Sequence, residues 1–136
     1  LRGIGYKLFY KLLSLENEDK YGSLFQSQRF KLNKLYDDEK EEKLPISDCG
    51  VRFYEKSYDV GLHYQTGFHI FKDIETAREA TKFFHIEKPA IVEVEYDKVV
   101  AIGLDSSINI ASIFPAKATY FPTVVAKQMT LIKEVQ

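Results

Sequence analysis

The chain has 136 residues, 45% of them apolar, with nine Tyr, ten Phe and no Trp; this is single-domain size, 1–136, with enough apolar mass for an ordinary core and too much for disorder. Nineteen basic and 20 acidic side chains leave a formal charge of −1, which argues against sequence-independent nucleic-acid binding, and no basic amphipathic stretch marks a lipid surface. Cys49 is the only cysteine, so no intramolecular disulfide can form, and no apolar run approaches the roughly 20 residues of a membrane span.

In chain order, residues 4–13 predict a first strand, because Tyr and Phe favour pleated packing and Lys7 and Lys11 punctuate the apolar residues. The polar stretch from Glu16 to Lys20, continued by Tyr21-Gly22, predicts a turn, with Leu24 and Phe25 starting a short second strand or closing the loop. Apolar positions 30, 32 and 35 fit a strand with one face in the core better than a helix. The run Asp37 to Lys43 reads as a solvated loop, or more sharply as an acidic docking surface for a basic partner. Residues 51–54 predict a short strand, and Gly61 and Gly67 flank a tight passage where backbone can approach a neighbour or a ligand closely.

Residues 68–71 form a strand in which Phe68 and Ile70 share one face, and His69 and Phe71 the other. Asp73 is a natural N-cap for a helix over 74–84, with apolar positions 74, 77, 80 and 84 on one side. After Pro89, residues 90–102 alternate Val92, Val94 and Tyr96 against Glu93, Glu95 and Asp97, and Asp97-Lys98 bends the chain into a further strand from Val99. Residues 105–122 are loop-rich, and residues 124–135 supply a last strand. One helix among many strands predicts an α+β domain: a mainly antiparallel twisted sheet with the helix of residues 74–84 packed on it.

The familiar catalytic signatures are missing: no phosphate-binding glycine loop, GxGxxG, nucleophile elbow, HExxH or CxxC occurs. Cys49 reads as a small hydrophobe rather than a nucleophile. His63 and His69 stand six apart with no third ligand at a recognised spacing, so no metal site is expected. Glu93 and Glu95 could pair as glycosidase carboxylates do, but alternation alone accounts for them as a solvated face. His69 is either a hydrogen-bonded core or edge histidine or a ligand contact in a cleft between its strand and the first. The lone thiol and the lysines within the N-terminal apolar residues predict a cytoplasmic protein without a signal peptide. Leu1 is not an initiator and Met129 is the only Met, so an N-terminus trimmed, processed or left out is expected.

The order Gly5-Tyr6-Lys7-Leu8-Phe9, Gly22-Ser23-Leu24-Phe25, Gly67-Phe68-His69, a helix with Ala77, and Ile91-Val92-Glu93-Val94-Glu95 resembles small uncharacterised proteins of phages and bacteria. Gly67 to Phe71 with Ala77, followed by the strand from Ala90 to Glu95, is also similar to the second and third motifs of the ADP-ribosyltransferase fold. That likeness implies a nucleotide-type ligand beside Tyr6, His63 and His69, with NAD as the cofactor. In that family the first motif carries His or Arg where this chain has Tyr6 or Lys7, and the second carries Tyr where His69 stands. Gln128 is the nearest polar counterpart to the family's catalytic carboxylate. Two functions are therefore expected in competition: a phage-like accessory domain binding a nucleotide-type molecule, with or without catalysis, and a non-enzymatic domain that inhibits or adapts a protein partner.

Overall fold

A computed structural model of the chain describes residues 2–12, 20–23, 28–40, 43–45, 51–55, 63–65, 67–84, 89–106 and 120–135. Its strands are β1 (Gly3–Leu12), β2 (Lys20–Ser23), β3 (Arg29–Phe30), β4 (Leu35–Asp37), β5 (Lys43–Pro45), β6 (Val51–Glu55), β7 (His63–Gln65), β8 (Phe68–Phe71), β9 (Pro89–Ser106) and β10 (Tyr120–Val135); the helix α1 (Ile74–Phe84) lies between β8 and β9. The architecture is thus mostly antiparallel sheet with one helix, whose bounds are those the periodicity predicts.

The main sheet runs β3-β2-β1-β8-β10-β9-β6, with β4 on β10. Because β1 also pairs β9, from Gly3↔Tyr96 to Tyr10↔Pro89, the path β1-β8-β10-β9 returns to its start and the sheet closes into a ring. Closure pairs these four strands with one another, while β3 and β6 remain the ends of the sheet and β4 hangs on β10. β5 and β7 form a separate two-stranded sheet, Lys43–Pro45 against His63–Gln65.

The ring encloses one apolar cluster drawn from every side of it. Phe9 of β1, Tyr21 of β2, Phe30 of β3, Phe68 and Ile70 of β8, Val92 and Val94 of β9, and Met129 and Leu131 of β10 are all buried there. The rings meet at angles: Phe9 and Phe30 at 5.5 Å, Phe30 and Phe68 at 6.1 Å and 80°, and Phe30 and Tyr36 at 4.8 Å and 75°. Edge-on contacts of this kind add to the gain from burial. A second cluster lies outside the ring, where α1 sets Ala77 and Ala80 against Leu8, Ile91 and Phe121, with Tyr6, Phe71 and Val135 beside them. Alternation along β1 and β9 sends neighbouring residues to opposite clusters, so both faces of these strands are used.

Asp73 caps the helix as expected: its Oδ1 accepts from the Thr76 backbone N–H and from the Thr76 hydroxyl, each at 2.7 Å. These bonds hold the Asp73 carboxyl below its ordinary range.

Four expectations need correction. Tyr21 and Gly22 lie in a strand, not a turn, and Gly22 sits under the Tyr10 ring opposite it in the ladder. Residues 30–35 do not make one strand: β3 ends at Phe30, Asn33 takes φ 59°, and β4 begins at Leu35. Asn tolerates that left-handed conformation, and the chain turns there to bring β4 onto β10. Asp97-Lys98 does not divide two strands; β9 runs unbroken for 18 residues, with Lys98 at φ 59° and a register shift against β10 between Val125 and Ala126. The extra residue bends the strand, which lets its first half pair β1 and its second half pair β6. Residues 120–122 belong to β10 rather than to a loop, since Pro122 lies in register with Leu104. Expectations for Leu24, Phe25, Cys49 and Gly61 fall outside the described residues.

Candidate functional site: the seam between the first and eighth strands

The side chains singled out by sequence converge in part. Tyr6 stands on β1 directly across from Phe71 of β8, so the strands that carry Tyr6 and His69 are neighbours. Alternation is as predicted: Phe68 and Ile70 are buried within the ring, while His69 is half-buried on the other face. The Tyr6 ring packs against the cluster under α1, on the same face as His69.

His63 and Gln128 are placed elsewhere. His63 belongs to β7, opposite Pro45 in the two-stranded sheet. Gln128 lies on β10 beyond its pairing with β8, and its amide donates to Asp37 Oδ1 on β4 at 2.9 Å. Among the described residues, no group of three His, Cys, Asp or Glu side chains gathers as metal ligands would.

The contact between β1 and β8 is thin. Tyr6↔Phe71 is their one register pair, and the edge of β1 next pairs β2, starting at Phe9↔Ser23. Between those two ladders Lys7 supplies the link. It lies on the enclosed face between Gly5 and Phe9, 5.9 Å from the Phe9 ring centroid, and its ammonium donates to the His69 carbonyl oxygen at 2.8 Å. A side chain here does what a backbone amide does in a regular ladder.

The seam is also tightly packed. A Cβ added at Gly5 would lie 2.5 Å from Ile70 Cγ2 and 2.7 Å from the Phe71 carbonyl oxygen. Across β8, a Cβ at Gly67 would come within 2.6 Å of the Ala126 carbonyl oxygen, which is the close backbone approach that its position predicted. Val125 pairs with His69 in register from β10.

Electrostatically, His69 is held neutral. Burial is the main cause that lowers its pKa from 6.5 to about 4, the Lys7 charge lowers it further, and a hydrogen bond to the Gly67 backbone opposes both. At neutral pH an ammonium on the enclosed face and an uncharged imidazole on the outer face therefore lie on the two sides of the seam, joined through the His69 carbonyl.

A second surface was not legible at the sequence level. Ile4 and Leu35 are the large hydrophobic residues that stand most exposed among the described ones, at 50% and 58%. Register places them in one cross-strand row on the outward face: Ile4↔Glu95, Glu95↔Thr130 and Thr130↔Leu35. Three strand spacings separate the two ends, about 14 Å along the sheet. Arg2 reaches Glu95 at 3.4 Å and Asp97 at 4.0 Å beside this row. Glu93, Glu95 and Asp97 thus form an outward polar face, as their alternation implies. No helix among the described residues is long and apolar enough to cross a membrane. No family model matches the chain, and no curated protein or solved structure matches it.

Proposed function

We propose that the chain is a non-enzymatic interaction domain, an inhibitor or adaptor of a protein partner, acting in the cytoplasm as a small accessory protein of phage or mobile-element type. The observation that carries this is the outward row from Ile4 through Glu95 and Thr130 to Leu35. It sets two exposed aliphatic side chains at the ends of a polar strip, while the enclosed face of the same sheet is filled by aromatic rings. Exposed aliphatics flanking polar groups are the ingredients of a protein contact, in which the apolar groups anchor and the charges select. Asp37, Asp38 and Glu39 adjoin Leu35, which favours a partner surface carrying Lys or Arg.

The test compares wild-type protein with the double variant Ile4→Glu and Leu35→Glu as baits. A partner retained by wild type and lost by the variant supports the proposal. Retention of nothing, or equal retention by both, removes it.

A nucleotide-type ligand at the seam is the second reading, favoured by one observation: Tyr6 and His69 occupy adjoining strands and share a face, with the Lys7 ammonium bonded to the His69 carbonyl. Here Tyr6 and His69 would position a nicotinamide-bearing ligand in the manner of an ADP-ribosyltransferase-like fold. Calorimetry with NAD, run alongside an assay of nicotinamide release, decides it; neither heat nor release leaves the seam without this ligand.

A further inference from the structure

The outward sheet face is complementary to itself. We propose that in the free protein the row from Ile4 to Leu35 is occupied by a second copy of this chain, related by a two-fold axis that runs along the strands between β9 and β10. The inference rests on the reading of that row as a contact surface and names its occupant.

Three parallel rows make up the face. Arg2, two residues before Ile4 and on the same side of the strand, reaches Asp97, which is in register with Gln128 and through it with Asp37. The middle row is Ile4, Glu95, Thr130 and Leu35. Glu93, in register with Tyr6 on one side and Lys133 on the other, makes the third. By strand spacing and rise, the face measures about 14 Å across the strands and about 14 Å along them. The helix borders this face rather than covering it, since α1 packs over Leu8 and Ile91, two positions past Tyr6 and Glu93.

Rotation about the proposed axis lays each row on its own reverse. β1 of one copy then lies over β4 of the other, and β9 over β10. Ile4 meets Leu35 of the second copy, and these two side chains, 50% and 58% exposed in the single chain, leave water together. The Glu95 carboxylate meets the Thr130 hydroxyl, Asp97 meets the Gln128 amide, Glu93 meets the Lys133 ammonium, and Arg2 meets Asp37. Symmetry makes every one of these contacts twice. The Arg2 side chain is 72% exposed beside Glu95, and the five donors of a guanidinium allow it to serve its own strand and the facing carboxylate at once.

The other two-fold that stacks these faces, running across the strands, would set Ile4 on Ile4 but also Glu95 on Glu95, and like charge rejects it. Stacking with strands nearly aligned is, in addition, a common way for sheets to pack. A face of this size falls at the small end of specific interfaces, so the dimer exchanges readily. A different protein carrying Lys or Arg in the places of Arg2 and Lys133 would compete with the second copy for the row.

Sedimentation velocity on the full chain between about 10 μM and about 1 mM tests it. Wild type is expected to pass from monomer to dimer as concentration rises. Arg2→Asp and Asp37→Arg each bring like charges together twice per dimer, and each is expected to weaken self-association on the order of 10-fold. Mixed with each other, the two variants are expected to pair at wild-type strength, because reversing both members of one contact restores its attraction and the symmetry-related contact is unchanged. Native mass spectrometry counts the mixed dimer. A wild type that stays monomeric throughout, a dimer indifferent to both reversals, or a mixture without preference for the mixed dimer overturns the proposal. Failure of the row itself reads differently: a monomeric wild type that still binds another protein through Ile4 and Leu35 keeps the contact surface and loses only this occupant.

Discussion

The β9–β10 hairpin and the β1–β8 seam are two sides of one closed sheet, and they are held by different means. β9 and β10 stay in register from Tyr120↔Ser106 to Val135↔Ile91, interrupted only by two irregularities. β1 and β8 share Tyr6↔Phe71 and little more. The hairpin partners are consecutive strands, so local closure favours them; β1 and β8 are distant in the chain, and their contact must be made by packing and by one lysine. The difference teaches that a ring of strands tolerates one thin seam when its other ladders, β9 with β10 and β1 with β9, are long and its interior is shared. Phe9, Phe30 and Phe68 bind both sides into the same cluster.

The largest effect should come from removing that shared interior. Phe9→Ala leaves a void between β1, β2 and β3 and is expected to cost about 3–5 kcal/mol, measured by urea unfolding. Both sides should fall in one transition; a hairpin that survives separately would break the comparison.

Acid is expected to act on the seam side through His69. Unfolded chain binds the His69 proton near 6.5 and the native state near 4, so stability is fully present above 6.5 and declines as pH falls towards 4. Below that it levels off, having lost about 3 kcal/mol to this one group. Unfolding midpoints of wild type and His69→Gln at pH 7 and 4.5 give the size; equal losses in the two proteins would refute it. Asp73 adds a loss of the same sign at lower pH, because its carboxylate is favoured in the native state and is protonated there last.

Gly5→Ala probes the same side sterically. Its methyl group would meet the Phe71 carbonyl, which cannot swing aside like a side chain, and about 1–3 kcal/mol should be lost. Asp73→Ala, outside the ring, removes the cap from α1 and is expected to cost about 1 kcal/mol by the same measurement. At the small end, Arg78→Ala breaks an exposed pair with Glu75, worth about 0.3–0.5 kcal/mol, and a change larger than that of Asp73→Ala would invert the ranking.

Local features were readable and closure was not. The cap at Asp73, the helix to Phe84, and the alternation of Phe68 with His69 and of Val92 with Glu93 each depend on neighbours a few residues away. The pairing of β1 with β9 as well as β8 depends on the whole chain, and alternation is silent about partners. Lys7 shows this well: an amine in phase with Gly5 and Phe9 conflicts with a purely apolar enclosed face, and only the register of Tyr6 with Phe71 brings the His69 carbonyl within its reach. The Ile4–Leu35 row is likewise invisible until four strands are aligned. For the candidate residues, sequence brought Tyr6 and His69 to adjoining strands, whereas Gln128 is turned towards Asp37 by a contact that spans most of the chain.

Gly22 beneath the Tyr10 ring has an effect on assembly order. Moving β2 by one position along β1 would drive a methylene of Tyr21 or Ser23 into that ring and turn Tyr21 out towards solvent. Mispaired docking of this short strand is therefore rejected sterically, and the first hairpin can find its alignment before the distant strands arrive.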